Sequence, residues 1–118
     1  MAKGKFEYSQ IRKYASFQAG YAFKSTDYLE ESNCFLITIK NIRQNQIDIS
    51  NATYLPDDFY KLYEDFQIRE SDLLIAMTGA TIGKVGIYNH PHNALLNQRN
   101  GIIKPDRINS IYLMSLLN

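Results

Sequence analysis

The sequence of 118 residues has little cysteine and no long hydrophobic run, and each shortage excludes a class of protein. Cys34 is the single cysteine, which excludes an internal disulfide and a cysteine-based zinc cluster. No apolar stretch approaches the roughly 20 residues that span a bilayer, and none follows residues 1–5, so we expect no secretory leader. We therefore expect a cytoplasmic protein with one domain, since this length leaves little room for a second core.

Net charge is also small, at +1, which taken alone argues against a nucleic-acid partner. The charges are unevenly distributed, however, because residues 57–72 hold six acidic and two basic side chains. The rest of the chain therefore carries 11 bases and six acids. This segregation predicts one basic face and one acidic face, although the solvated side of an ordinary helix would give the same acidic run.

The pattern of apolar residues predicts a single α+β domain. We expect a β-rich fold with a twisted mixed or antiparallel sheet, a few flanking helices and the start of a C-terminal helix. Strands are expected where β-branched and aliphatic residues cluster between turn residues. The expected strands are 34–40, 73–77, 82–88, 94–96 and 101–103, with turns at 41–45 and 78–81.

Helices are expected where apolar residues recur at helical spacing. A helix that begins at 56–58 places four apolar side chains on one face, so this face is expected to pack into the core. These four side chains are Phe59, Leu62, Tyr63 and Phe66. The other helical segments are 8–17, a single turn at 27–30 capped by Ser25 or Thr26, and the nearly all-apolar stretch 108–117.

The sequence contains no complete catalytic or cofactor-binding motif. Residues 79–84 have the spacing G-x-x-x-G-K, one residue short of a phosphate-binding loop, and Val85 replaces the magnesium-binding Ser or Thr. His90 and His92 offer at most two metal ligands, so a solvent loop is the better interpretation. Neither G-x-S-x-G nor the Asp/Asn-Pro-Pro-aromatic motif of DNA amino-methyltransferases occurs. We expect no enzyme, and neither catalytic nor metal-binding residues.

The most specific pattern in the chain is segment 70–87, which reads ESDLLIAMTGATIGKVGI. An acidic residue precedes a run of aliphatic residues, a Gly-containing turn and Ile-Gly-Lys. This order resembles the central strand–turn–strand of target recognition domains in the specificity subunits of type I restriction–modification systems. Segments 20–28, 35–42 and 96–105 resemble the same family in the same order.

The resemblance implies a non-catalytic, β-rich domain that reads one half of a split target in double-stranded DNA. It also implies partner methyltransferase (modification) and restriction subunits, to which S-adenosylmethionine, ATP and Mg²⁺ would belong, and no cofactor on this chain. A complete specificity subunit has two such domains, each followed by a long helix. Here residues 1–107 correspond to one recognition domain and residues 108–118 to the beginning of that helix. A second specificity domain or a homodimer would complete the assembly.

Polar side chains at the predicted turns and strand ends are the expected DNA contacts, because they can reach a groove. Arg43 and Arg99 are the first choices for guanine, since a guanidinium can pair with O6 and N7 together. For each single Arg or Lys, an ordinary surface position is an equal alternative. The remaining candidates are Gln44, Asn45, Gln98 and Asn100 for adenine, Lys24 and Lys84 for phosphates, and Lys40, Ser25, Thr78 and Thr81.

Two other functions stay open at this point. A truncated specificity fragment could act as a protein-interaction module or decoy for the modification subunit, without strong DNA binding. Its contact surface would be the apolar helix near the end of the sequence, through Ile108, Ile111, Tyr112 and Leu116. A small nuclease or methyltransferase is the weaker alternative, because the sequence offers no catalytic constellation.

Overall fold

The computed structural model describes residues 15–79, 82–105 and 110–118. Within these ranges the chain forms two four-stranded sheets, a two-stranded hairpin and two short α-helices, so the predicted β-rich α+β class is confirmed. The strands are β1 (Ala15–Ala19), β2 (Cys34–Ile37), β3 (Ile42–Arg43), β4 (Gln46–Ile47), β5 (Thr53–Leu55), β6 (Gln67–Ile68), β7 (Leu73–Ala76), β8 (Val85–Ile87), β9 (Asn93–Leu96) and β10 (Asn100–Pro105). The helices are α1 (Phe59–Leu62) and α2 (Ser110–Leu117).

The two larger sheets differ in how their strands run. The first has the order β1-β10-β7-β8, and all of its neighbouring strands are antiparallel. The second has the order β5-β2-β9-β6, in which β2 and β9 are parallel and the outer pairs are antiparallel. Because β9 belongs to the second sheet and β10 to the first, the turn at 97–99 carries the chain from one sheet to the other.

The core is most continuous around the parallel pair of the second sheet. The paired Leu36 and Leu95 are fully buried on one face, and the paired Ile37 and Leu96 on the other, so these central strands are covered on both faces. A separate apolar cluster lies beneath α2, where Leu113 packs with Val85 and Ile103 of the first sheet. Neither α-helix in the described ranges is long and apolar enough to cross a membrane.

The hairpin formed by β3 and β4 crosses the edge strand β8 at a glycine. A Cβ atom at Gly86 would lie 2.3 Å from the carbonyl oxygen of Gln46, so the two backbones can approach only because Gly86 has no side chain. The backbone N–H of Asn45 donates to the carbonyl of Val85 at 2.8 Å. The turn of the hairpin is therefore held against the beginning of β8.

The helix expected from 56–58 onwards is shorter than its aromatic spacing predicts. It ends after Leu62 because Tyr63 has non-helical dihedral angles (φ −114°, ψ 48°), and a 3₁₀ turn follows at Glu64–Phe66. The expectation that Leu62 lies on the buried face is wrong, since it is 69% exposed. The rings of Phe59 and Tyr63 do pack inwards, against Phe23, with centroid distances of 6.3 and 4.9 Å.

Two predicted strands are also shorter than expected. The strand predicted at 34–40 ends at Ile37, because the side chain of Asn41 accepts a hydrogen bond from Thr38 N at 2.9 Å and a 3₁₀ turn forms. The strand predicted at 82–88 begins only at Val85, and Ile82 is 65% exposed. The strands predicted at 73–77, 94–96 and 101–103 are confirmed within one or two residues.

The remaining helical predictions have mixed outcomes. The helix expected at 8–17 is wrong at its end, because 15–17 belong to β1 and pair with β10; residues 8–14 lie outside the described residues. The single turn expected at 27–30 forms slightly earlier, as a 3₁₀ turn at Ser25–Asp27 without a side-chain cap. The helix expected at 108–117 is confirmed from Ser110 onwards.

The stability of this fold should fall in alkaline solution because of Cys34. Burial, helped by the negative charge of Asp57, raises the pKa of its thiol from 9.0 to about 11. Between these values the unfolded chain loses the thiol proton and the folded chain keeps it, so the unfolded state is favoured as pH rises. We expect the free energy of unfolding, measured with urea, to decrease from about pH 9 to pH 11.

The variant Cys34→Ala serves as the control for this pH dependence. Its cavity lowers stability at every pH, so the comparison rests on the slope and not on the absolute value. The variant should show a flatter decrease just above pH 9, before the buried Tyr88, whose pKa is also raised by burial, contributes. Equal slopes for the two proteins would contradict this assignment.

Candidate nucleic-acid interface

Five loop segments meet at one end of the molecule. The parallel strands β2 and β9 both end there, and the contact continues as Asn97 N donates to Ile37 O at 3.0 Å. Strand β7 ends beside them, where Met77 N donates to Arg99 O at 2.9 Å. A Cβ atom at Gly79 would lie 3.2 Å from Cδ1 of Ile39. We call this region the loop end; it consists of residues 38–41, 43–45, 77–79, 82–84 and 97–99.

The loop end brings together most of the side chains that the sequence suggested for DNA contact. Eight of them lie on it and are exposed. Four of the eight are basic, and no acidic residue occurs in the five segments. The arrangement therefore gives a positively charged surface with amide and hydroxyl groups between the charges. The eight residues are Lys40, Arg43, Gln44, Asn45, Thr78, Lys84, Gln98 and Arg99.

The two arginines on this surface are in different electrostatic surroundings. Arg43 lies 3.9 Å from the carboxylate of Asp48, whose pKa is lowered chiefly by hydrogen bonds from the hydroxyl and N–H of Ser50. Arg99 is exposed, and no acidic group pairs with it within the described ranges. Arg99 therefore has the more available positive charge, whereas that of Arg43 is partly neutralised.

Backbone with positive φ is concentrated in the same region. Four of the five residues with positive φ in the described part of the chain lie at the loop end. Each such conformation costs a non-glycine residue on the order of 1 kcal/mol and persists only where the surroundings impose it. The four are Asn45 (71°), Gly79 (82°), Gly83 (87°) and Arg99 (68°); the fifth is Ser71 (77°).

Other residues suggested by the sequence are placed differently. Lys24 lies beside Asp27 and Tyr63 near α1, in a small cleft, and Ser25 begins the adjacent 3₁₀ turn. Asn100 is only 1% exposed, so its amide is not at the surface where a base edge could reach it. Thr81 lies outside the described residues.

The apolar helix near the end of the sequence keeps only part of its expected contact face exposed. Ile111 and Tyr112 of α2 are 63% and 59% exposed, whereas Leu116 is half-buried. Leu113, on the other side of the helix, is fully buried against the first sheet. Ile108 lies outside the described residues.

Asn118 fastens α2 to the loop end, a contact that the sequence analysis missed. Its side-chain amide pairs with both backbone groups of Val85, accepting from N at 3.0 Å and donating to O at 2.7 Å. The same amide donates to Oδ1 of Asn45 at 2.8 Å. An Asn after an apolar helix is a common stop signal, but nothing local indicates a partner 33 residues away.

The acidic run of the sequence does not gather at the loop end. Asp57 accepts a hydrogen bond from Asn33 N at 2.8 Å, just before β2 begins and thus at the opposite end of that strand. Asp72 is buried and paired with Lys104 at 2.5 Å, so its charge is neutralised within the fold. These two acids of the run therefore lie away from the loop end.

The two histidines have structural contacts. His92 stacks on Phe35 with ring centroids 4.8 Å apart, and Nε2 of His90 lies 2.9 Å from the carbonyl oxygen of Ile47. Across the described ranges, no group of three or more His, Cys, Asp or Glu residues could hold a metal ion.

Comparison with known proteins points to one family of relatives. The chain is 27% identical over 119 residues to the Type I restriction enzyme MjaVIII specificity subunit of Methanocaldococcus jannaschii. That alignment covers 95% of this chain and 28% of the relative. The fold matches the HsdS subunit of Thermoanaerobacter tengcongensis, with a TM-score of 0.68 at 12% identity over 91% of this chain and 25% of that one. The chain is similar to type I specificity subunits in sequence and in fold.

Two further solved structures agree with this likeness to type I specificity subunits. A chain from a study of complex assembly and conformational transition of the type I R-M system gives a TM-score of 0.70 at 14% identity, covering 91% of this chain and 25% of that one. The S subunit of a type I system from M. genitalium gives 0.58 at 15% identity, covering 90% and 24%. No family model matches the chain. The resemblance inferred from the four sequence segments is confirmed, and the chain spans about a quarter of these relatives' length.

The hydrogen bonds of Asn118 to Val85 and Asn45, which we call the Asn118 clamp, give a direct test of how the loop end is held. Replacing Asn118 with Ala removes hydrogen bonds to Val85 and Asn45, so the free energy of unfolding should fall by roughly 1–3 kcal/mol. Ser115→Ala is the control, because Ser115 lies on the same helix and bonds only within it, to Tyr112 O. Urea unfolding measures both, and equal stabilities of the two variants would contradict the clamp.

Proposed function

We propose that this chain is a DNA target recognition domain that reads one half-site of a split duplex target. The observation that carries the proposal is the loop end, where four basic and four polar side chains are exposed without an acidic neighbour in the same segments. The sequence relationship to a protein named as a specificity subunit supports it. The fold shared with other such subunits gives the same support.

The chemistry of the eight side chains suits both parts of DNA recognition. Lys40 and Lys84 provide flexible point charges for phosphates, which supply affinity in a salt-dependent way. Arg99 provides a planar donor pair for guanine O6 and N7, and Gln98 beside it provides the donor and acceptor that adenine requires. The hydroxyl of Thr78 is suited to a phosphate oxygen.

The proposal assigns catalysis to other chains. We propose a non-catalytic subunit domain in the cytoplasm that directs a methyltransferase (modification) subunit and a restriction subunit to the site. S-adenosylmethionine, ATP and Mg²⁺ would be bound by those partners, and this chain would need no cofactor. The partition into a recognition domain at 1–107 and a helix beginning at 108–118 stays a prediction, as does a second specificity domain or a homodimer.

A second candidate function rests on the exposed side chains of α2. Ile111 and Tyr112 would contact a modification subunit, so the chain would act as an interaction module or decoy without strong DNA binding. Co-purification with a modification subunit that is lost in Ile111→Asp, without any duplex binding by the wild-type chain, would favour this alternative.

Duplex binding tests the proposed function. The purified chain should enrich one short motif from a randomised duplex pool, and its affinity should fall steeply between about 50 and 200 mM salt. Arg99→Ala should weaken binding to the enriched motif by about 1–3 kcal/mol, because a guanidinium contact to a base edge is lost. Fluorescence anisotropy with a labelled duplex measures the change.

The matched control is Lys61→Ala. It removes the same unit of charge from an exposed position on α1, outside the loop end, and should change affinity by less than about twofold. The proposal fails if no motif is enriched at low salt. It also fails if Lys61→Ala and Arg99→Ala weaken binding equally.

A further inference from the structure

Hydrogen bonds to the backbone carbonyl oxygens hold the turn that carries Arg99. The side-chain amide of Asn100 donates to the carbonyl oxygens of Asn97 and Gln98, at 3.4 and 3.1 Å. The carbonyl of Arg99 accepts from Met77 N at 2.9 Å. The side chain of Asn100 therefore holds the turn through two of its carbonyl groups. Met77, which follows β7, holds it through a third.

Gly20, which follows β1, also contacts this turn. Gly20 N donates to the carbonyl oxygen of Asn100 at 2.9 Å, so each carbonyl of residues 97–100 accepts a hydrogen bond. A Cβ atom at Gly20 would lie 1.9 Å from the carbonyl oxygen of Asn97. The turn therefore packs directly on the backbone of a residue that must be glycine, and its path is fixed by three separate parts of the chain.

This fixed path has two free-energy costs, one in the backbone and one in buried side-chain oxygens. Arg99 is held at φ 68°, a conformation that few side chains adopt. The side-chain oxygens of Asn97 and Asn100 are buried, and neither has a hydrogen-bond partner among the described residues. Costs of this kind persist where the surroundings over-determine the conformation, and they concentrate at functional sites.

We infer that Asn100 is a positioning residue for Arg99, and that the two act as one unit in setting specificity at a single base pair. The inference rests on the proposed function and deepens it. Asn100 is buried and cannot contact a base, whereas Arg99 is exposed on the turn that the Asn100 amide closes. A bidentate contact tolerates little displacement, so loosening the turn should remove the discrimination that the guanidinium supplies.

A double-mutant cycle on sequence preference tests this inference. The wild-type chain is first used to select its preferred duplex, and Kd is then measured on that duplex and on each single base-pair variant of it. Arg99→Ala should lose about 5- to 150-fold of discrimination at one base pair. Asn100→Ala should lose discrimination at that same base pair, with the other preferences and the salt dependence retained. The double variant should be no worse than Arg99→Ala alone.

A second pair of variants keeps the inference open to contradiction, through the role of Arg99, if Asn100→Ala does not fold. Arg99→Gly relieves the positive φ while the hydrogen bonds of the turn stay in place, so its melting temperature should match or exceed that of the wild type. Its discrimination at the one base pair should nevertheless be lost. Ser71→Gly relieves a similar φ of 77° outside the loop end, and should leave all DNA preferences unchanged.

The outcomes distinguish a failure of the proposed function from a failure of the inference about Asn100. If the wild-type chain selects no motif, the proposed function fails. If it selects a motif but Arg99→Gly keeps full discrimination, the inference is overturned while the proposed function stands. The inference is likewise overturned if Asn100→Ala folds and acts at a different base pair, or if its loss of discrimination adds to that of Arg99→Ala.

Discussion

The parallel pairing of β2 with β9 is the interaction on which the rest of the structure depends. Parallel strands end at the same edge of a sheet, so the loops that follow Ile37 and Leu96 must lie side by side. The chain then turns directly into β10, whose antiparallel partner β7 ends at the same place. Residues far apart in sequence therefore converge in the loop end, and no single segment could form that surface alone.

Holding these loops in place has a free-energy cost that the fold offsets elsewhere. The loop end contains most of the positive-φ residues in the described ranges. The turn at 97–100 also includes two buried amide oxygens that have no hydrogen-bond partner among the described residues. The burial of Leu36 and Leu95 in the second sheet and of Leu113 beneath α2 supplies the compensating stability. Asn118 joins α2 to the same loops through hydrogen bonds to Val85 and Asn45. The helix that covers the first sheet is therefore in direct contact with the candidate interface.

The sequence predicts most of the strands but only part of the site, and the difference has a physical cause. Runs such as 73–76 and 94–96 are apolar along their length, so burial alone defines them as strands. The helix predicted to continue to Phe66 ends after Leu62, because the helical spacing of aromatic residues does not reveal where tertiary packing breaks a helix. Asn100 was a reasonable DNA contact by residue type, yet its amide closes the turn behind Arg99. Local pattern identifies polar residues at turns, but only three-dimensional contacts show which side chains face outward.

The most direct test of the central claim is to locate bound DNA on the surface of the chain. Amide hydrogen exchange, followed by mass spectrometry with and without a duplex pool at low salt, reports protection segment by segment. We expect protection of 38–45 and 97–99 at the loop end, with no change at 57–66 in the acidic run. Protection confined to 57–66 or to α2, with the loop end unchanged, would contradict it.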